Sequence, residues 1–173
     1  MEQPNNIHKV MLLRHLLSIL ILPTTVTVVI PHLIISSRPA RATLPSLAIG
    51  TIVIAAGLVL VVVTVWHFAT VGKGTLAPWD PPRRLVVRGV YRYMRNPMIS
   101  GVILIVLGEA IAMRSRDVLS WAAAFFLINV IYIPLLEEDW LIERFGDDYR
   151  EYRRHVPRWV PRTTPWQSPR NGG

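Results

Sequence analysis

Four long apolar segments, separated by short charged stretches, constrain this chain more than any other feature of its sequence. They cover residues 16–35, 44–68, 98–113 and 118–136. A helix of about 20 residues crosses the roughly 30 Å hydrocarbon layer of a membrane. Three of the segments are about that long, whereas the third is short and is expected to begin before Met98 or to lie beside thinned bilayer. The sequence therefore predicts an all-α integral membrane bundle of about four transmembrane helices.

The basic residues are distributed asymmetrically around these segments. Of the 19 lysines and arginines, fifteen lie before the first segment, between the second and third, or after the fourth. Because basic residues favour the cytoplasmic side, both termini and the central loop are predicted to be cytoplasmic. The tail arginines, including an exposed Arg158, are expected to contact anionic membrane lipids. No nucleic acid partner is expected, since no aromatic stacking module accompanies these charges.

The charge pattern also divides the chain into three parts. Residues 1–68 contain the first two transmembrane helices. Residues 69–162 contain the central loop, the third and fourth helices and short cytoplasmic C-terminal helices. Residues 163–173 are rich in proline and glycine and are expected to form a disordered tail.

Two short helices are predicted after the fourth apolar segment. The first continues from the membrane through Phe145 and stops at Gly146, a residue type that commonly ends helices. Asp147 would cap the second, which ends before Pro157. Trp166, in the tail, is interpreted as part of an aromatic belt at the membrane interface.

Polar side chains gather where the third segment begins and the fourth ends. The first group contains Tyr91, Arg95 and Asn96, and the second contains Glu137 and Glu138. Because the two segments form a hairpin, both groups should lie at one membrane depth. Arginine binds carboxylates and glutamate binds ammonium groups, so this constellation could hold a zwitterion such as an amino-acid moiety. The alternative is that the charges only flank the membrane and pair with lipid phosphates or with each other, Glu137 with Arg95 for example.

Two linked motifs carry a resemblance to a known family. The first is GVYRYMRNPMISG at residues 89–101, and the second reads E-E-x-x-L-x-x-x-F-G-x-x-Y-x-x-Y-x-x-x-V-P at residues 137–157. Their order and spacing resemble the C-terminal signature of the isoprenylcysteine carboxyl methyltransferase family. That family also includes phospholipid N-methyltransferases and bacterial membrane relatives. The resemblance covers about residues 72–161 and implies a multi-pass protein of the bacterial inner membrane.

The same resemblance implies a methyltransferase that uses S-adenosylmethionine. The methyl acceptor would be a lipid-like or small hydrophobic molecule that enters from the bilayer at the cytoplasmic interface. Glu137 would hold the methionyl ammonium group of the cofactor, and no metal is implied. The other residues carried over to the cofactor site are Arg83, Arg84, Leu85, Val86, Tyr91, Arg95, Asn96, Pro97, Met98, Ile99 and Glu138. No catalytic side chain is assigned.

Two positions depart from the family pattern. Ile99 stands where the family has a tyrosine, so a cofactor-facing hydroxyl is absent there. Ile133 stands where the prenylcysteine enzymes have an arginine, which disfavours a prenylcysteine carboxylate as acceptor. Two other functions stay open. One is an NADPH-dependent membrane reductase, although paired glutamates suit an ammonium better than a phosphate. The other is a non-catalytic protein whose basic tail binds lipids or a partner.

Three further side chains have more than one interpretation. Tyr149 and Tyr152 are three residues apart and therefore share a helix face. They either pack that helix against the bundle or close the cofactor pocket. His67 ends the second apolar segment beside Trp66, where an interfacial anchor is favoured over a catalytic base.

Overall fold

The structure is a computed structural model that describes residues 23–37, 41–67, 70 and 85–167. Within these ranges the chain is helical and contains no strand, which confirms the all-α prediction for the described part. In chain order the elements are a π-helical turn (Thr25–Val29), α1 (Ile30–Ser36), α2 (Leu44–His67), a 3-10 turn (Gly89–Arg92), α3 (Pro97–Met113), α4 (Arg116–Tyr132), a second π-helical turn (Ile133–Glu137), α5 (Glu138–Phe145) and α6 (Asp147–His155).

Two continuous helices are long and apolar enough to cross a membrane. One is α2, with 24 residues, and the other runs over 30 residues from Arg116 through α4 and the second π-helical turn to Phe145. Helix α3 has 17 residues and begins at Pro97, one residue before the predicted segment. The beginning of the first predicted span, residues 16–22, lies outside the described residues, and its described part forms a short apolar helical stretch (Thr25–Ser36), so the count of four spans stays a prediction.

Large apolar side chains cover the outer surfaces of α2 and α4. Ile52 on α2, for example, is 70% exposed. The other exposed large apolar residues of these two helices are Leu44, Leu47, Ile49, Leu58, Val59, Val62, Trp66, Leu119, Leu127, Ile128, Ile131 and Tyr132. Continuous apolar surface of this extent is unfavourable in water and favourable against lipid. The protein is therefore associated with a membrane through these helices.

Glycines bring α2 and α3 into close contact. A Cβ atom added to Gly57 would lie 2.6 Å from the carbonyl oxygen of Gly101, and one added to Gly108 would lie 2.7 Å from that of Gly50. These distances are too short for a side chain. Between lipid-embedded helices, small residues allow the backbones to approach and gain van der Waals contact. The close packing against α2 holds α3 in place, and the first turn of α3 belongs to the site.

The helix that begins at Arg116 changes its hydrogen-bonding pattern where the polar residues begin. The N–H of Glu138 donates to the carbonyl of Ile133, five residues earlier, so this turn contains one residue more than an α-helical turn. The helix then continues through Phe145 and ends at Gly146, whose φ of 57° is left-handed. The continuation through Phe145 and the end at Gly146 confirm the prediction from the sequence.

Helix α6 differs from its prediction in one detail. It begins at Asp147 itself, and Gly146 occupies the capping position, so the predicted cap by the Asp147 side chain is wrong. The carboxylate instead accepts a hydrogen bond from Arg150 at 2.8 Å. The helix ends at His155, before Pro157 as predicted.

Residues 156–167, here called the C-terminal strap, run back along residues 92–96. Four backbone hydrogen bonds join the two segments: Arg95 N–H to the Pro157 carbonyl (2.9 Å), Asn96 to Arg158 (3.2 Å), Arg162 to Tyr93 (3.0 Å) and Trp166 to Arg92 (2.9 Å). The sequence placed Trp166 in a disordered tail and in an interfacial belt, yet its side chain is buried. Its ring stacks on His155 and contacts Tyr152, both in α6.

Candidate functional site

The two halves of the motif meet at one end of the helix bundle. Asn96 precedes the first residue of α3, and residues 97–99 form the first turn of that helix. Glu137 ends the second π-helical turn, and Glu138 begins α5. A direct ion pair between Arg95 and Glu138 joins the two halves at 2.7 Å. The hairpin of α3 and α4 therefore brings these polar groups together, as the sequence predicts.

The remaining predicted site residues lie on the chain before α3. Tyr91 is buried in the 3-10 turn. Leu85 and Val86 precede that turn without regular secondary structure, and Val86 is buried. Arg83 and Arg84 lie outside the described residues.

Glu138 is the centre of a buried ion-pair cluster. Its side chain is 1% exposed, and three arginines donate hydrogen bonds to it. Arg158 binds both carboxylate oxygens, with Nε at 2.6 Å from Oε1 and Nη2 at 3.0 Å from Oε2. Arg95 Nη1 lies 2.7 Å from Oε1, and Arg153 Nη1 lies 3.3 Å from Oε2. Because a carboxylate accepts about four hydrogen bonds, the capacity of Glu138 is filled within the protein.

Arg95 is fully engaged in the same cluster. Its side chain is 8% exposed. Besides Glu138, its Nε donates to the carbonyl oxygen of Val156 at 2.8 Å, and Nη1 approaches the Tyr149 hydroxyl at 3.4 Å. Arg95 therefore pairs with Glu138, and not with Glu137 as one interpretation of the sequence proposed. Its guanidinium group is therefore held by partners within the protein.

Arg158, like Arg153, is a residue of this cluster that the sequence interpretation missed. It was expected to be an exposed tail arginine, whereas its side chain is 33% exposed and binds Glu138 with two nitrogens. The hydrogen bonds that Arg158 donates to Glu138 raise the pKa of Arg158 above its usual value. The signal that could have found it is its position directly after Val156 and Pro157, the last residues of the second motif.

Three tyrosines pack beneath the cluster. The Tyr152 hydroxyl donates to the Tyr91 carbonyl oxygen at 2.7 Å, and the rings of Tyr149 and Tyr152 meet edge to face at 6.1 Å. Both α6 tyrosines are buried. Burial raises the pKa of Tyr149 to about 12 and raises the pKa of Tyr152 further. Both phenols therefore stay protonated at neutral pH and pack α6 onto the site, while a role in closing a pocket stays a prediction.

Glu137 and Asn96 carry the site's unengaged polar atoms. Glu137 forms no hydrogen bond or ion pair with another described residue. Burial is the main cause of the raised pKa of Tyr91 and of Tyr149, and the charge of Glu137 adds to it, so this carboxylate lies near both phenols. The Nδ2 atom of Asn96 is buried and has no hydrogen-bond partner in the described part of the chain.

This arrangement favours a ligand that has both a cation and a hydrogen-bond acceptor. Glu137 can attract a cation, because neighbouring Glu138 retains the nearby arginines. The Asn96 amide can donate to an oxygen of the same ligand. A buried amide without a partner costs about 1–3 kcal/mol, so a ligand that supplies the acceptor recovers that free energy. The amino-acid end of a cofactor has both groups.

His67 supports the turn that carries Tyr91. Its Nδ1 lies 2.7 Å from the carbonyl oxygen of Val63, which fixes the ring at the end of α2. The opposite edge of the ring, with Nε2, lies against Gly89 so closely that a Cβ atom there would overlap it. Gly89 also has a left-handed φ of 54°. His67 therefore contacts the site segment, while its role as an anchor at the membrane interface stays a prediction.

We expect Gly89→Ala to destabilise the protein more than Gly146→Ala does. Both glycines have a positive φ that other residues rarely adopt, so an alanine is strained by about 1–3 kcal/mol at either position. Only at Gly89 does the new methyl group also overlap His67, since no described residue lies within 4 Å of a Cβ at Gly146. That overlap should add about 1–3 kcal/mol in chemical denaturation. Equal losses for the two variants would contradict the contact with His67.

Similarity to known proteins indicates the family to which the chain belongs. The sequence pattern of the family described as phospholipid methyltransferase matches residues 45–148. This range covers more than half of the chain and contains Asn96, Glu137 and Glu138. The chain belongs to the phospholipid methyltransferase family. The resemblance drawn from the two motifs is thereby confirmed.

Similarity to a curated protein also supports membership of this family. The chain is similar to Protein-S-isoprenylcysteine O-methyltransferase B of Arabidopsis thaliana, with 33% identity over 79 residues. The matched region is 45% of this chain and 40% of the relative, so the chain spans less than half the length of that protein. No solved structure is significantly similar to this phospholipid methyltransferase family member.

Proposed function

We propose that the chain transfers a methyl group from S-adenosylmethionine to a lipid-like or small hydrophobic acceptor at the membrane interface. The observation that carries this proposal is that the two adjacent glutamates differ in their hydrogen-bond partners. Glu138 binds three arginines, whereas Glu137 and the buried Nδ2 atom of Asn96, at the same end of the bundle, have no hydrogen-bond partner among the described residues. Within a family of membrane methyltransferases, these two free groups match the amino-acid end of the cofactor.

The residues of the chain fit this cofactor in chemical type. Glu137 would bind the ammonium group, and the Asn96 amide would donate to the carboxylate. By the family resemblance, residues 83–86, Tyr91 and residues 97–99 would line the rest of the cofactor. When bound, S-adenosylmethionine supplies a methyl group on a sulfonium, which is already an activated leaving group. The protein therefore contributes orientation and exclusion of water, and not a strong catalytic base.

The surroundings of the site favour an apolar acceptor. Ile133, one turn before Glu137, is 1% exposed and places an aliphatic side chain in the interior. The apolar surfaces of α2 and α4 adjoin lipid and extend to this end of the bundle. A hydrophobic molecule dissolved in the bilayer can reach such a site without crossing water. The acceptor atom, whether nitrogen, oxygen or sulfur, is left to the product analysis below.

We place the site on the cytoplasmic side of a four-span protein with both termini in the cytoplasm. The asymmetry of lysines and arginines supports this topology. A reporter domain that is active only in the cytoplasm should therefore be active when it is fused after residue 173. A fusion that reads as non-cytoplasmic would overturn the placement of the site.

Transfer of labelled methyl groups tests the proposed reaction. Membranes containing the protein are incubated with S-adenosylmethionine that carries an isotopic label in its methyl group. The label should enter the solvent-extractable lipid fraction and should be lost with the Asn96→Ala variant. Release of the label by mild alkali would indicate a methyl ester, whereas resistance would indicate an N-methyl, S-methyl or methyl ether product, which mass spectrometry of the labelled lipid distinguishes. Incorporation no greater than in membranes without the protein would count against this function.

A further inference from the structure

Arg158 contacts both halves of the site at once. Its guanidinium group binds both oxygens of Glu138, at 2.6 and 3.0 Å, and Glu138 is the neighbour of Glu137. Its backbone carbonyl accepts a hydrogen bond from the N–H of Asn96 at 3.2 Å. A single residue of the C-terminal strap therefore joins the end of α3 to the beginning of α5.

The other two arginines that bind Glu138 lie outside the strap. Arg153 lies on α6, is more exposed, and contacts one carboxylate oxygen at 3.3 Å. Arg95 belongs to the α3 side and is itself held by the carbonyl of Val156, at the start of the strap. Arg158 is thus the strap side chain through which a shift of the strap would change the position of Asn96 relative to Glu137.

We propose that Arg158 is a positioning residue that sets the separation of Asn96 and Glu137 and thereby determines affinity for the amino-acid end of the cofactor. This inference rests on the proposed function. The two-nitrogen contact fixes the direction as well as the distance of the Arg158 side chain, because the guanidinium is planar. A lysine keeps the charge but binds as a point, so it would hold the strap less firmly.

Two ligands separate positioning from general loosening of the fold. S-adenosylhomocysteine has the nucleoside and the amino-acid group, whereas 5′-methylthioadenosine has the nucleoside and thioether alone. Arg158→Ala should weaken binding of S-adenosylhomocysteine about tenfold, the effect of one well-placed polar interaction. Binding of 5′-methylthioadenosine should change less than about threefold. Arg158→Lys should give an intermediate loss for the first ligand and also provides a test if the alanine variant does not fold.

Arg150→Ala is the matched control. Arg150 lies on α6, pairs with exposed Asp147, and touches neither Glu138 nor Asn96. Its variant should bind both ligands like the wild type. Equal weakening of both ligands by the Arg158 variants would show a merely structural role, and unchanged binding of both would also overturn the proposal. If the wild type binds neither ligand, the proposed function fails instead, which keeps the two failures distinguishable.

Discussion

Glu138→Ala is expected to lower the free energy of unfolding by about 3–5 kcal/mol, the usual cost of removing one partner from a buried ion pair. Glu138 accepts hydrogen bonds from three arginines, and its removal leaves Arg95 as an uncompensated charge that is only 8% exposed. The cluster also joins α5, α6, the C-terminal strap and the segment before α3. Its loss should therefore loosen the whole site end of the bundle.

Chemical denaturation in detergent micelles measures this effect. Asp147→Ala provides the control, because Asp147 is also an acidic residue paired with an arginine but its side chain is 83% exposed. A surface ion pair contributes at most about 1 kcal/mol, so this variant should unfold close to the wild type. If Glu138→Ala and Asp147→Ala have similar stabilities, the cluster does not hold the strap as described.

Glu137→Gln is expected to weaken binding of S-adenosylhomocysteine by roughly thirtyfold to a thousandfold. The change keeps the shape and a hydrogen-bond acceptor but removes the charge. Charge-assisted hydrogen bonds are about twice as strong as neutral ones, and partial desolvation enlarges the loss to about 2–4 kcal/mol. Because Glu137 pairs with no described residue, the melting temperature should hardly change.

Affinity and melting temperature must be measured on the same preparation. Glu143→Gln serves as a control, since Glu143 is an exposed glutamate on α5, the helix that also contains Glu138. It should leave both quantities unchanged. A Glu137→Gln protein that melts earlier but binds with wild-type affinity would mean that Glu137 supports the fold and not the cofactor. A protein with unchanged values in both measurements would also remove Glu137 from the site.

The adjacent glutamates show how far sequence reasoning reaches. The hairpin of two apolar segments was sufficient to predict that Asn96 and the glutamate pair would meet at one end. It could not say which glutamate turns inward, because neighbours on a helix point about 100° apart. The π-helical turn at Ile133–Glu137 changes the helix phase at this point. Only the folded structure assigns Glu138 to the arginines and leaves Glu137 without a partner among the described residues.

Arg158 illustrates a different limit. Read as sequence, an arginine in a basic, proline-rich tail resembles a solvated charge. Its partner depends on the chain reversal after α6, which lays the strap against residues 92–96 through four backbone hydrogen bonds. Such long-range pairing leaves no periodic pattern in the sequence. Trp166 was misjudged for the same reason, since its contacts with Tyr152 and His155 form only after the reversal.

Calorimetric titration of the purified wild-type protein with S-adenosylhomocysteine and, separately, with NADPH tests the central claim most directly. We predict saturable binding of S-adenosylhomocysteine at one site per chain and no binding of NADPH. The unpaired carboxylate of Glu137 favours an ammonium-bearing ligand and repels the phosphates of NADPH. Saturable binding of NADPH without binding of S-adenosylhomocysteine would contradict the account and favour a reductase. Binding of neither ligand would contradict it as well and favour a non-catalytic membrane protein.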